Sequence, residues 1–320
     1  ERGLYHTADG GRTWDRVLFV DEHTGAVDVV MHPTNPRILF AATWQMRMAT
    51  WGRESGGPGS AIWQSRDGGA TWARLEGRGL PVGPVGKIGL AMTPDDPDRV
   101  YALIETNVNR EYAPLDEHAG VLWRSDDGGA SWRMVNADHT LAQRPLYYTR
   151  MAAAPDDRDE LHFMSTRHAV SLDGGFTTEL GDAGGDNHDI WIDPLLPDRI
   201  IVGHDQGLSI TNTRGESWYR PQLPIAQMYH VHTDTKIPYN LYGNRQDGPS
   251  YMGPSNTLTG GSIPLGAWRS VGGCESGFAV PDTTTNDVVW SGCYEGILDR
   301  HELSTGITRT VSVWPDNPEG

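Results

Sequence analysis

The 320-residue sequence predicts an all-β fold, and three observations carry that reading. Glycine and proline, at 39 and 21 residues, make close to one position in five a backbone punctuator, which argues against long helices. Only 37% of residues are hydrophobic, yet 12 Trp and 11 Tyr are present, so the core must come from many short elements carrying large aromatics. Third, one short box recurs in register along the chain. No stretch approaches the roughly 18 apolar residues of a spanning helix, and Glu1–Tyr5 does not resemble a targeting leader, so a soluble chain with no membrane span is expected.

The box reads Thr7-Ala8-Asp9-Gly10-Gly11-Arg12-Thr13-Trp14, then Ser65 to Trp72 with Asp67, then Ser125 to Trp132 with Asp127. Ser171 to Thr178 repeats it around Asp173 without the Trp, and Thr211 to Trp218 keeps the Trp without the Asp. A short Asp side chain accepts N–H bonds within its own turn and the following glycines supply positive φ, so each box predicts a hairpin turn, with Asp9, Asp67, Asp127 and Asp173 in structural roles. An apolar strand leads into each box, as in Ala61-Ile62-Trp63 and Val121-Leu122-Trp123.

A second turn alternates with the first: His32-Pro33-Thr34-Asn35-Pro36, Thr93-Pro94-Asp95-Asp96-Pro97 and Asp193-Pro194-Leu195-Leu196-Pro197, with weaker copies at Pro155 and Pro281. Proline fixes φ and removes a donor, which suits a connection between strands. Two turn types in alternation define units of four strands, with the Pro turn between the first and second and the Asp turn between the third and fourth. Such units, repeating every roughly 40 to 60 residues, predict a β-propeller of about six to seven four-stranded blades. Fuller blades are expected at about 26 to 77, 86 to 136, 148 to 180, 188 to 221, 228 to 270 and 277 to 314. Residues 1 to 20 hold only the outer two strands of a first, incomplete blade, so residues 1–320 read as a single propeller domain from a longer polypeptide.

A formal charge of −16 repels a phosphate backbone, and no nucleic-acid partner is expected. Cys274 and Cys293 are enough for one bridge, and lie where a hairpin could set them side by side; two buried thiols are the alternative. The pairs His188-Asp189, His204-Asp205 and His230-Val231-His232 imply no third ligand, so no metal site is assigned, although a structural calcium held by carbonyls and Asp side chains stays open and no other cofactor is expected.

The recurring Ser/Thr-x-Asp-x-Gly-x-Thr/Ser-Trp box resembles the Asp-box, or bacterial neuraminidase repeat, over nearly the whole chain. Gly184 to Pro194, Val271 to Gly277 and Val311 to Pro318 are similar to bacterial sortilin-like or glycosyl-hydrolase-like repeat proteins, which implies export to the periplasm or the extracellular space. Gly181-Asp182-Ala183-Gly184-Gly185-Asp186-Asn187-His188-Asp189 resembles the stretch that carries one catalytic carboxylate in the family 74 xyloglucanases. That resemblance implies Asp182 as a catalytic candidate, with Asp186, His188 and Asp189 as its neighbours. Those enzymes place the second carboxylate on another propeller, and no matching motif stands here. The sialidase Arg-Ile-Pro signature and the cysteine-rich module of sortilins are also missing from the sequence.

Opposite the Asp turns lie the loops between second and third strands and the connections between blades, the face where propellers of this kind place ligands. Residues 43 to 54 put Trp44, Arg47, Trp51 and Arg53 on one connection, either as sugar-stacking aromatics with polar clamps or as a small satellite core. Residues 105 to 118 form a long charged loop suited to a wall or lid, or simply solvated. Tyr147, Tyr148 and Tyr229 arrive at the same face as innermost strands begin, and Asp205, Arg245, Asp247 and Glu275 complete the candidate ligand-binding set.

Two functions compete. The first is an exported binding or scaffolding module that recognises a glycan, a peptide or a partner subunit through the loop face, with membership of a larger assembly kept open. The second is a glycoside hydrolase using Asp182 or Asp186 in a carboxylate pair roughly 5 to 9.5 Å apart. An enzyme requires two carboxylates facing one open groove lined by Trp44, Trp51 or Tyr147, whereas a scaffold requires a plugged channel and a contact surface.

Overall fold

A computed structural model describes residues 1–106, 121–223, 225–258 and 260–311. The chain is all-β, and its repeating element is the propeller blade, an up-and-down antiparallel meander of four strands. It divides into two compact units, Glu1–Gln222 and Leu223–Gly320.

Unit 1 opens with a two-stranded sheet, β1 (Leu4–His6) and β2 (Asp15–Leu18), joined through the box of Asp9. The next sheet runs β3 (Thr24–Met31), β4 (Leu39–Ala49), β6 (Ala61–Ser65) and β7 (Ala73–Arg74), with β5 (Gly52–Ser55) paired to the far end of β4. Then come β8 (Ile88–Met92), β9 (Val100–Ile104), β10 (Leu122–Ser125) and β11 (Arg133–Asn136), followed by β12 (Arg150–Ala153), β13 (Leu161–Met164), β14 (Arg167–Ser171) and β15 (Glu179–Gly185). The last sheet holds β16 (Asn187–Ile192), β17 (Ile200–His204) and β18 (Gly207–Thr211), its fourth strand reduced to one bridge between Ile210 and Tyr219. Pro221, two residues on, cannot donate to a ladder, which limits any continuation of the strand. Unit 2 repeats the meander twice, as β19 (His232–Thr233), β20 (Asn240–Asn244), β21 (Ser250–Pro254) and β22 (Arg269–Ser270), then β23 (Ala279–Pro281), β24 (Val288–Gly292), β25 (Leu298–Glu302) and β26 (Ile307–Thr310).

The two turns fall where their alternation predicts, Pro turns between first and second strands and Asp turns between third and fourth. In the second box, Asp67 accepts from the Thr71 N–H at 2.9 Å and from the Thr71 hydroxyl at 2.6 Å, while the Ser65 hydroxyl donates to it at 2.8 Å. Asp9, Asp127 and Asp173 repeat the pattern with Thr13, Ser131 and Thr177. These donors stabilise the charged form and hold Asp9, Asp67 and Asp127 down at about 2. In the box that lacks Asp, the Thr213 hydroxyl takes the N–H of Ser217 at 3.0 Å instead.

Strand alternation distributes the core between successive sheets. On β9, Val100, Ala102 and Ile104 join one buried cluster with Phe40, Ile62, Leu90 and Trp123, whereas Tyr101 and Leu103 join another with Leu122, Leu161 and Phe163. A smaller cluster of Met164, Ala183, Ile200 and Val202 follows, and Tyr242, Met252, Val271, Ala279 and Val289 form the core of unit 2. Each fully buried aliphatic side chain contributes on the order of 1.5 to 3 kcal/mol. One interface of unit 1 also carries a buried polar chain. Arg214 Nε and His162 Nε2 both reach Glu160, at 2.7 and 2.9 Å, and His162 Nδ1 lies 3.0 Å from His168 Nε2.

The innermost strands β3, β8, β12 and β16 lie against one another in that order. The Leu90 N–H of β8 donates to Asp28 of β3 at 2.8 Å. A Cβ at Gly89 would stand 2.5 Å from the Thr149 carbonyl oxygen, so the missing side chain is what lets β8 close on the start of β12.

Candidate functional site at the loop face of unit 1

The starts of the innermost strands, at the sheet ends opposite the Asp turns, gather five of the candidate residues. Tyr148 stands just before β12 and is almost fully buried; its hydroxyl donates to Asp186, which Arg144 also approaches at 3.3 Å. The Asp186 N–H is fixed on the Thr166 carbonyl at 2.9 Å, in the tight connection between β15 and β16 where Asp186 has φ 52°. His188, one residue into β16, packs its ring 5.3 Å from that of Tyr148 and bonds Asp205 at 2.5 Å. Tyr147 is half exposed, with the Arg144 guanidinium 4.5 Å from its ring centroid. Burial, followed by the bond to Asp186, pushes the Tyr148 phenol well above its ordinary range, so it stays protonated as a donor.

Asp182 does not join this group. Its side chain is 89% exposed and faces Arg220 at 3.2 Å, on the bulged end of the outermost strand β15. Asp189 lies on β16 with its carboxylate on the Ile190 N–H at 3.0 Å, close enough to raise the carboxyl of Asp28.

Residues 43 to 54, expected as a surface connection, instead extend β4 to 11 residues and fold back as β5 in a projecting hairpin. Arg47 pairs with Glu54 and Met48 with Arg53, and Trp51 sits at the tip, 91% exposed. Trp51 therefore forms no satellite core. Trp44 lies at the base, half-buried, where its indole N–H donates to Ser55 at 3.0 Å. The Ser55 hydroxyl donates in turn to Glu105 at 2.6 Å, and Glu105 also accepts the Lys87 N–H at 2.8 Å. Most of the charged loop expected at 105 to 118 lies outside the described residues.

Four charged residues that sequence reasoning missed complete the face. Asp28 is drawn out of solvent, which pushes its carboxyl up against the opposing N–H bond of Leu90 and the charge of Arg150. Lys87 stands just before β8, its ammonium 5.4 Å from the Trp44 ring centroid; burial, then the repulsion of Arg150, pushes it down. Arg144 is the fourth. The one available signal is that Lys87 is one of only two lysines in the sequence, a departure from the arginines used elsewhere.

In unit 2, the structure brings together the other candidates. Glu275 accepts the Asp247 N–H at 2.8 Å, and the Arg245 guanidinium lies 5.0 Å from the Tyr251 ring centroid. Tyr229 is 41% exposed, and its N–H bonds the Asn244 carbonyl at 3.1 Å. Cys274 and Cys293 are joined in a disulfide with Cα atoms 4.8 Å apart. Among the described residues, no three His, Cys, Asp or Glu side chains converge as metal ligands, and no helix is long and apolar enough to cross a membrane.

No protein-family model matches this chain, and no curated protein matches it. Several solved structures are similar. A GH74 xyloglucanase from Xanthomonas campestris aligns with 99% of this chain and 53% of its own, at 14% identity and TM-score 0.38. The chain thus spans about half the length of that enzyme. YCF48 bound to D1 peptide aligns over 91% of this chain and 86% of its own, at 14% identity and TM-score 0.38. The Cps50 (Swd1) β-propeller domain from Myceliophteria thermophila aligns over 93% and 89%, at 11% identity and TM-score 0.39. At these identities and TM-scores the likeness carries nothing about function.

Proposed function

We propose that this chain is a binding module whose unit 1 loop face recognises a polypeptide segment. The observation that carries the reading is the engagement of the carboxylates. Asp186 is held by Tyr148 and Arg144, Asp205 by His188, and Glu105 by Ser55 and the Lys87 N–H. Asp182, the residue that the xyloglucanase resemblance singles out, is solvent-exposed and ion-paired with Arg220. A glycosidase needs one carboxyl kept protonated and another free as base or nucleophile, and a neutral sugar is gripped largely through free carboxylates and amides. Among the described residues, the exposed side chains here include Arg150, Tyr147 and Trp51 at the hairpin tip, which suit contact with a polypeptide.

The Asp-box and sortilin-like resemblance supports a rigid exported platform, and the disulfide supports an oxidising compartment. The test is selection of random ten-residue peptides on the purified chain, with a parallel assay for reducing ends released from a polysaccharide panel. Peptides that bind wild type and lose affinity with Tyr147→Ala or Arg144→Ala are the expected outcome. Sugar release that Asp182→Ala or Asp186→Ala abolishes would restore the hydrolase.

A further inference from the structure

At two interfaces between successive sheets of unit 1 the wall is apolar, and at the next one it is not. The residue three positions before the box serine is Ile62 on β6 and Leu122 on β10, and the residue three positions after the box is Leu75 and Val135; all four are buried. In the sheet of β12 to β15 the same two positions hold His168 and Gly181. The following box packs differently as a result. A Cβ at Gly129 would meet Phe40, and one at Gly175 would meet Leu122 and Val135, whereas one at Gly215 would meet only Trp218 of its own turn. Between Gly215 and the faces of β14 and β15 lies a cavity of about 290 Å³, lined inside by His162, His168 and Trp218, with Leu172 and Leu180 at its rim, 70% and 66% exposed.

The buried polar chain behind this cavity assigns its own protons. The Glu160 carboxylate, held by Arg214 at 2.7 Å, only accepts, so His162 Nε2 donates to it at 2.9 Å. His162 Nδ1 is then an acceptor, and His168 Nε2 is its donor at 3.0 Å. The lone pair that remains is on His168 Nδ1, which has no partner although His168 is buried. Burial keeps that ring neutral. A Cβ at Gly181 would stand 2.2 Å from Nδ1, so glycine here leaves the nitrogen uncovered beside the cavity. A buried acceptor without a donor is destabilising unless something fills its place.

We propose that this cavity is a binding site for a small neutral molecule with an apolar body and one O–H or N–H donor, which His168 Nδ1 accepts. A cavity of roughly 150 Å³ suffices for benzene, so a single substituted ring fits. Charges of both signs border the site, Asp173 and Glu179 against Arg214, and together they favour neither an anion nor a cation. Asp173 is occupied by Ser171 and Thr177, and Arg214 by Glu160 and Asp156. The site lies at the Asp-turn end of unit 1, opposite the loop face, and stands independently of polypeptide binding there.

The test is titration of the 15N-labelled chain with phenol and with toluene, a ring of the same shape without a donor, following the Trp218 indole N–H and the His168 imidazole nitrogens. The same titrations are run on His168→Leu, which supplies at this position the side chain type of Leu122 and is first shown folded by thermal unfolding. In wild type both ligands should shift the Trp218 signal saturably, and phenol alone should shift the His168 Nδ1 signal. His168→Leu should lower the ratio of phenol to toluene affinity about fivefold or more, the loss of one hydrogen bond. If neither ligand gives a saturable Trp218 shift, the cavity is no binding site. Equal His168 shifts with the two ligands, or an affinity ratio unchanged by His168→Leu, overturn the role of Nδ1 and with it the proposal. Should the variant fail to fold, the His168 signals of the wild type decide alone.

Discussion

Tyr148 shows how one buried phenol can order a site. Its hydroxyl holds Asp186 and its ring packs on His188, so loss of the hydroxyl leaves the Asp186 carboxylate less supported. Tyr148→Phe should therefore cost about 1.5 to 3 kcal/mol, the range for a bond to a charged acceptor, read as a lower denaturant midpoint at unchanged slope. A second consequence concerns His168, which burial, and then the charge of His162, drives from 6.5 to about 3. The folded state refuses the proton, so the stability is fully present above pH 6.5 and is lost progressively as the pH falls toward 3. Urea unfolding between pH 7.5 and 4.5 should show that decline, and His168→Asn should flatten it without abolishing it, because His204 and His301 shift the same way. Aromatics and carboxylates were legible in the sequence as candidates. Their partners were not, because Tyr148 and Asp186 are 38 positions apart and meet only through packing of adjacent sheets.

At the scale of the element, turn chemistry is local and was therefore legible. An Asp followed by two glycines determines its own hydrogen bonds, and each box folds as its residues predict. The positive-φ glycines serve packing as well: Gly129, at φ 85°, leaves no room for a Cβ, which would stand 2.7 Å from the Phe40 ring. Gly129→Ala should destabilise by roughly 1 to 3 kcal/mol through combined strain and overpacking, whereas Ala70→Gly in the same kind of turn should change little. The hairpin of β4 and β5 was misread as a connection because its pairing depends on β4 outrunning its sheet, a property of the whole strand. Lys87 and Arg150 escaped for a related reason: their proximity depends on Gly89, a close approach that no periodicity announces.

For the whole molecule, repetition made the fold legible and also hid the function. Blades repeat because each needs a neighbour to bury its faces, so the residues that recur are those of turns and core. The residues that differ from blade to blade, among them Trp44, Lys87, Tyr148 and Arg150, are the ones on which the proposed binding function rests.

The most direct test is a titration of the 15N-labelled chain with a decamer peptide selected on it, following the tryptophan indole N–H signals. The account predicts that the Trp44 indole, bonded to Ser55 beside Lys87, shifts on binding, while Trp14 and Trp72, whose indoles donate to Gly11 and Gly69 within the Asp turns, do not. Shifts confined to the Asp-turn tryptophans, or binding that leaves Trp44 unmoved, would contradict it.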